Sequence, residues 1–281
     1  MPAAILTLAL LCMAGGQVFA VSLEEVKHER HRSVEALPEL ARIGAAGDTI
    51  FILRGRLSKN RAKQIERITR QVHRDVKRRF PGDRDKAGLR PVDVCVFATS
   101  KLYRKFAKEV MGSDEYGADR GFFVPYRRLV VADLGRGVGG LRHELVHALL
   151  RDEFGSLPDW LDEGLAALYV TAKWTKKGYR FQVNFRLRQL RAARGAGRLP
   201  DLEKLAASDD REVYGKNYEA YYALSRYLLL YLERQGRLGK FFEKIRSAPR
   251  SKEGQLKVLR QFVDYDAFLK WADGLDTETR K

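Results

Sequence analysis

Cysteine is scarce in this chain, which carries only two among its 281 residues, Cys12 and Cys95. Cys12 lies in an N-terminal segment that we predict to be removed, so the remaining chain would hold one cysteine and form no intramolecular disulfide. Cys95 lies in the alternating sequence VDVCVF at residues 92–97, which is typical of a strand. We therefore interpret Cys95 as a small buried apolar residue and not as a nucleophile.

Charge is missing from the start of the chain, since residues 1–20 contain no charged side chain. An apolar stretch over residues 3–15 precedes Val18-Phe-Ala20, a small-residue pattern that a signal peptidase cleaves. We predict a signal peptide over residues 1–20, cleaved near Ala20, and an exported protein that is periplasmic or secreted. The usual basic residue before the apolar core is missing, so an uncleaved membrane anchor is the alternative.

Acidic residues are few relative to basic ones, with 36 Asp and Glu against 53 Lys and Arg, and the net charge is +17. Because 45% of the residues are hydrophobic, the composition is that of a folded globular protein and excludes a disordered chain. Basic residues concentrate at residues 173–198, the basic segment, where no nucleic-acid motif accompanies them. We interpret this segment as a solvated face, with a polyanion-binding lip as the alternative. The charge favours contact with an anionic envelope surface, and we expect no specific nucleic-acid partner.

What the chain does contain is HELVH at residues 143–147, followed by WLDEGLA at residues 160–166. Two histidines four residues apart lie on one face of a helix, so the imidazoles of His143 and His147 can reach one tetrahedral zinc ion. Glu144 points to a neighbouring part of that face, where it can hydrogen-bond a metal-bound water. A catalytic zinc site has three protein ligands and one open position, and Glu163 is the third ligand that the pattern offers.

The residues around the first motif predict a helix with a buried face, because apolar residues recur there at helical spacing: Leu141, Leu145, Ala148 and Leu149. The alternative to a metal site is a helix whose histidines are ordinary hydrogen-bonded residues. We favour the metal site, because burying two histidines and a carboxylate without a cation is costly.

The segment before this helix, GRGVGG at residues 135–140, also satisfies the dinucleotide-binding pattern G-x-G-x-x-G. The helix that follows carries the HELVH motif, and no second strand follows Leu150 at the spacing of a βαβ unit. We therefore interpret residues 135–140 as a loop that permits close approach to the site.

The two motifs together resemble the gluzincin branch of zinc metallopeptidases, and in particular its small peptidase MA-like members. The resemblance covers roughly residues 45–275 in the order of elements, and the two motifs are its specific part. It implies that His143, His147 and Glu163 bind one zinc ion per chain. It also implies that Glu144 is the general base of a peptide hydrolase.

Two further expectations come from the same resemblance. In gluzincins a tyrosine of the helical lobe stabilises the oxyanion, and Tyr218 is the best match, with Tyr221 and Tyr214 behind it. The alternative for a helical tyrosine is a place in the core. The sheet edge nearest the zinc helix binds peptide as an added strand in these enzymes, and residues 128–133 are the candidate for that edge.

The second motif also predicts how its helix is used. The residues that follow Glu163 have small side chains: Gly164, Ala166 and Ala167. This helix can therefore pack closely on the HELVH helix. Asp159 or Asp162 can hydrogen-bond the free nitrogen of a ligand histidine. Plain acidity at a helix N-terminus is an equally good explanation of both aspartates.

The order of elements predicts an α+β fold, with an N-terminal mixed sheet and helices that include the HELVH helix, followed by a mostly helical C-terminal lobe, and the resemblance implies that this fold is zincin-like. Strands are predicted near residues 49–53 and 92–97 with a long helix between them, and a hairpin is predicted over residues 121–132. Further helices are predicted near residues 101–110, 158–169, 218–232, 238–245 and 264–272. The domains are a leader at 1–20, a sheet-plus-helix subdomain with the metal site at 45–172, and the basic connection with the helical lobe at 173–281.

The function predicted from these features is that of a zinc-dependent peptide-bond hydrolase acting on a peptide or protein outside the cytoplasm. The alternative is a non-catalytic, basic, envelope-associated binding protein on a zinc-peptidase scaffold, and the presence of Glu144 speaks against it. A third hypothesis, a nucleic-acid-binding protein driven by the net charge, predicts steeply salt-dependent DNA binding that a chelator leaves untouched.

Overall fold

The described part of the chain is an α+β structure that combines a mixed five-stranded sheet with many helices, as predicted. This computed structural model describes residues 10–14, 17–21, 32–45, 47–82, 84, 86, 88–113 and 119–276. Its strands are β1 (Leu10–Ala14), β2 (Gln17–Val21), β3 (Glu39–Ile43), β4 (Phe51–Gly55), β5 (Val92–Phe97), β6 (Gly121–Val124), β7 (Leu129–Asp133), β8 (Lys173–Thr175) and β9 (Gly178–Arg180). Its helices are α1 (Lys59–Arg79), α2 (Ser100–Met111), α3 (Gly139–Phe154), α4 (Asp159–Tyr169), α5 (Arg186–Gly195), α6 (Leu202–Ala207), α7 (Asp210–Val213), α8 (Tyr218–Arg234), α9 (Leu238–Ser247), α10 (Lys252–Phe262) and α11 (Tyr265–Asp273).

Most of the predicted leader lies outside the described residues. Its described stretches belong to β1 and β2, which pair antiparallel with Leu10 opposite Val21. Signal-peptide cleavage near Ala20 stays a prediction. Among the described helices, none is both long enough and apolar enough to span a bilayer.

The five-stranded sheet has the order β3-β4-β5-β7-β6. Strands β4, β5 and β7 are parallel, whereas β3 and β6 run antiparallel to their neighbours at the two edges. The parallel strands are buried on both faces, which explains their nearly continuous apolar sequences. Cys95 is fully buried in β5, and burial raises the pKa of its thiol, in keeping with a core residue.

The prediction that residues 128–133 form an edge of the sheet is wrong. Residues 128–133 contain all of β7, and β7 is flanked by β5 on one side and by β6 on the other. The hairpin predicted around Pro125 does form, but the parallel pairing of its second strand with β5 leaves the first strand, β6, outside. The edge strand beside α3 is therefore β6.

Helix α1 forms as predicted from its apolar spacing. The Ser58 hydroxyl accepts a hydrogen bond from the Arg61 amide and so caps the N-terminus of the helix. One face is buried against the sheet and α3, through Ile65, Ile68, Val72 and Val76. Each of these aliphatic side chains contributes about 1.5–3 kcal/mol when fully buried.

The helical half packs on the motif helices through α4 and α8. Gly164 of α4 faces α8, because a Cβ atom on it would lie 2.7 Å from Leu229 Cδ1 and 2.9 Å from Ser225 Cβ. This glycine was expected to bring α4 onto α3, but the close approach that it permits is to α8. The larger of two hydrophobic clusters includes residues from Ile43 to Ala272 and so extends across the two predicted subdomains.

The basic segment folds into the β8-β9 hairpin and the amphipathic helix α5, which buries Leu187, Leu190 and Ala193. Part of its charge is used inside the molecule. Arg191 donates hydrogen bonds to three backbone carbonyls near the end of α11, and Arg194 forms an ion pair with Asp273. Only part of the segment is therefore a solvated face.

Candidate metal centre

Helix α3 presents the two histidines of the HELVH motif on one face. Their Nε2 atoms lie 3.0 Å apart, and the rings meet edge to face with centroids 4.6 Å apart. The first turn of the helix packs closely against the backbone of Arg120, because a Cβ atom on Gly140 would lie 2.5 Å from the Arg120 carbonyl oxygen. The glycine-rich segment therefore permits close backbone packing next to the site, with its last two glycines inside the helix.

Helix α4 brings Glu163 to the histidine pair. Glu163 Oε2 lies 3.2 Å from His143 Nε2 and 3.7 Å from His147 Nε2. The carboxylate is buried, and Oε2 makes no hydrogen bond although both nitrogens face it. The structure thus brings together the three ligands predicted from the sequence.

The spacing of these three donor atoms fits a single cation. Ligand bonds of about 2.0–2.2 Å in a tetrahedral arrangement place nitrogen and oxygen donors ~3.3 Å apart. The observed separations of 3.0, 3.2 and 3.7 Å lie around that value. Within the described residues, His143, His147 and Glu163 form a group that could hold a metal ion.

Asp162 contacts the far side of one histidine. Its Oδ2 lies 3.0 Å from His147 Nδ1, so it fixes the ring and leaves Nε2 directed at Glu163. Of the two aspartates considered from the sequence, Asp162 is the one in this contact. Its place in the first turn of α4 also makes it favourable at the helix N-terminus.

The electrostatic environment of the site favours positive charge. Burial alone would lower the pKa of His147, but Asp162 and Glu163 outweigh it and raise the pKa well above its ordinary value. Burial alone would raise the pKa of Glu163, but the two histidines outweigh it and hold the pKa well below its usual range. A bound cation would compete with protons for these groups.

Glu144 is buried between α3 and the edge strand β6. Burial raises its pKa, against the opposing effect of His143 and His147. Gly121, the first residue of β6, makes room for this carboxylate, because a Cβ atom there would lie 2.9 Å from Glu144 Cγ and 2.8 Å from the Val131 carbonyl oxygen. In the sequence, this role is marked by nothing more than a glycine at the start of a strand.

Tyr214 is the tyrosine that touches the ligand set. Its hydroxyl donates a 2.9 Å hydrogen bond to Glu163 Oε1. Tyr218 is 46% exposed and packs edge to face on Tyr222, with ring centroids 6.1 Å apart. Tyr221 is buried, and burial raises its pKa, with a further rise from the carboxylates of Glu212 and Asp201.

Tyr222 was missed from the sequence, although it stands four residues after Tyr218 on α8 and so on the same face. Burial raises its pKa, and the nearby Glu163 carboxylate raises it further. Its ring lies 6.3 Å from that of Tyr214 and at 68° to it. Tyr222 therefore packs beside Tyr214, whose hydroxyl is bonded to Glu163.

The chain matches no known protein-family model, and no curated protein is significantly similar to it. Any assignment of function therefore depends on the chemistry of the site and on the motifs that form it.

Proposed function

We propose that this protein is a zinc-dependent peptide-bond hydrolase of the gluzincin, peptidase MA-like type, with a zincin-like fold, acting outside the cytoplasm. The observation that carries the proposal is the convergence of His143, His147 and Glu163 on one point, with the Glu144 carboxylate buried beside them. Two imidazoles and one carboxylate are a donor set of catalytic zinc sites.

The residues of the site have separate tasks in this proposal. His143, His147 and Glu163 would hold one zinc ion, Asp162 orients an imidazole, and Tyr214 fixes the ligand carboxylate. When bound, zinc polarises a carbonyl oxygen and lowers the pKa of a coordinated water to about 7.

Glu144 is the proposed general base. Its carboxylate lies next to the ligand set without being one of the donors, and burial raises its pKa, which makes it a better proton acceptor. It would take the proton of the attacking water and deliver it to the leaving amine. Tyr218 stays the proposed oxyanion donor, because its hydroxyl forms no hydrogen bond within the described residues, whereas that of Tyr214 is already donated to Glu163.

The test is Glu144→Gln in the full-length protein. Zinc content and peptide cleavage are measured on the same preparation. We expect one zinc per chain in the variant and a fall in cleavage of at least 10²-fold, the low end of general-base effects of about 10²–10⁴-fold. Glu243→Gln, an exposed change on α9, is the matched control and should behave like the unchanged protein.

Full activity in Glu144→Gln would contradict the assigned base. Stoichiometric zinc with no cleavage of a broad peptide library by the unchanged protein would instead favour the non-catalytic, envelope-associated binding protein.

A further inference from the structure

Exposed aromatic side chains gather beside the candidate metal centre. Of the seven large apolar side chains exposed in the described part of the chain, three are Phe185, Tyr214 and Tyr218. All three lie around Tyr222 or the arginine that stacks on it, Arg186. We refer to Phe185, Tyr214, Tyr218 and Tyr222 as the aromatic wall. Clustered exposed aromatic surface marks binding sites in soluble proteins.

Arg186 is held within this wall. Its guanidinium lies 4.8 Å from the centre of the Tyr222 ring and 5.3 Å from that of Phe185. The side chain donates through Nη1 to Gln189 Oε1 at 3.3 Å, and no carboxylate of the described residues forms an ion pair with it. A half-buried guanidinium without a carboxylate partner is costly, and the cost falls when a bound anion supplies that partner.

The backbone fixes the position of Arg186 before any ligand binds. Its amide donates a 3.0 Å hydrogen bond to Asn184 Oδ1 at the start of α5. The backbone N–H and C=O of Asn184 are both hydrogen-bonded to the Tyr227 hydroxyl of the buried helix α8, at 3.0 and 3.1 Å. A cation placed in this way loses little conformational freedom on binding.

Arg186 is also close to the metal ligands. Tyr222 contacts both Arg186 and Tyr214, and Tyr214 is hydrogen-bonded to Glu163. Burial lowers the pKa of Arg186, against the opposing effect of Tyr222 and of the Glu163 carboxylate. Glu163 therefore lies close enough to act on the Arg186 guanidinium, so a carboxylate bound to that guanidinium would lie near the candidate metal centre.

We propose that Arg186 binds a carboxylate of the substrate and that the aromatic wall holds the chain next to it. The planar guanidinium matches a carboxylate through paired N–H donors. The carboxylate has two sources, the C-terminus of a peptide or an Asp or Glu side chain near the cleaved bond. The first would make the enzyme a carboxypeptidase and the second an endopeptidase with acidic preference. This inference rests on the proposed function.

The test uses the full-length Glu144→Gln protein loaded with zinc, so that binding is measured without turnover. The probes are fluorescent peptide pools in two matched pairs, one with a free or an amidated C-terminus and one with a fixed Glu or Gln in an amidated peptide. We expect the carboxylate member of one pair to bind about 10- to 150-fold more tightly, as charge-assisted hydrogen bonds do. The pair that shows the difference identifies the source.

Added to this protein, Arg186→Gln should remove the difference between the members of that pair, and Arg186→Lys should restore part of it. Arg188→Gln, which removes an exposed charge from the same helix, is the matched control and should leave the difference intact. Circular dichroism and thermal unfolding confirm that each variant is folded. No carboxylate preference in either pair, or a preference that survives Arg186→Gln, overturns the inference.

The two proposals fail in different ways. Cleavage of these pools by the unchanged protein without an Arg186-dependent preference would refute the carboxylate site alone. Arg186-dependent binding of the carboxylate pools by a protein that cleaves none of them would support the carboxylate site and refute the hydrolase.

Discussion

At the scale of single residues, the two oxygens of Glu163 have different partners. Oε2 faces the Nε2 atoms of His143 and His147 at 3.2 and 3.7 Å, whereas Oε1 accepts the Tyr214 hydroxyl at 2.9 Å. A carboxylate held at one oxygen presents the other in a fixed direction. The hydrogen bond from Tyr214 therefore sets the direction in which Glu163 Oε2, the candidate donor atom, faces the histidines.

Tyr214→Phe removes this hydrogen bond and keeps the ring. We expect zinc affinity to fall about 10- to 100-fold, the usual effect of losing a group that orients a ligand. Competition with a chelator of known affinity measures the change, and Tyr126→Phe, at a side chain 73% exposed, is the control. Equal zinc affinity in the two variants would show that Glu163 does not depend on Tyr214.

The spacing of the motifs predicted that His143, His147 and Glu163 would lie together with Glu144 beside them, because one helix turn and one short connection determine where they lie. Tyr214 follows the short helix α7, so no periodic pattern connects it with the site. The position of Arg186 could not be predicted, because it is one of many basic residues in the basic segment. A sequence does not distinguish an arginine stacked on aromatic rings from a solvated one. These residues depend on contacts between distant parts of the chain.

At the scale of elements, the position of α4 depends on what lies on both of its sides. The face with Glu163 meets α3, and Gly164, the next residue, meets α8 through Ser225 and Leu229. The packing of α8 therefore determines how far Glu163 extends toward the histidines. The order of the strands in the sheet could not be predicted from the sequence. The apolar sequence LVVAD of β7, which is buried along its whole length, is nevertheless typical of an interior strand.

Gly164→Ala places a methyl group 2.7 Å from Leu229 Cδ1 and 2.9 Å from Ser225 Cβ. Overpacking of this kind costs about 1–3 kcal/mol of unfolding free energy, and moving α4 would also weaken zinc binding. Chemical denaturation of the metal-free protein and chelator competition measure the two effects. Gly195→Ala, at a helical glycine with open space around it, is the control, and equal stability of the two variants would contradict the close packing of α4 on α8.

At the scale of the whole molecule, the net charge of +17 is larger than the positive charge that the surface presents to a partner. Arg226 is fully buried and donates to the carbonyls of Ala167 and Gln182, while Arg237 donates to that of Phe262. Such arginines donate hydrogen bonds to the protein's own backbone, and Arg226 does not face solvent at all. Composition alone therefore predicts contact with an anionic surface more strongly than the folded molecule supports.

The candidate metal centre joins the two halves of the molecule, because α3 follows the sheet and α4 packs on the helical lobe. A cation bound to His143, His147 and Glu163 would hold these parts together only in the folded state. At a free zinc concentration 100 times the Kd, it would add about 2.7 kcal/mol to the unfolding free energy. We therefore expect zinc to raise the melting temperature, and a chelator to reverse the rise.

His143→Gln removes one donor and should abolish most of this zinc-dependent rise, measured as the difference between melting temperatures with zinc and with chelator. His73→Gln is the matched control, because His73 contacts Asp48 outside the ligand group. It changes the stability of both forms but should leave their difference unchanged. An equal zinc response in the two variants would place the bound metal elsewhere, and the convergence of α3 and α4 would then need another explanation, such as a buried network of hydrogen bonds.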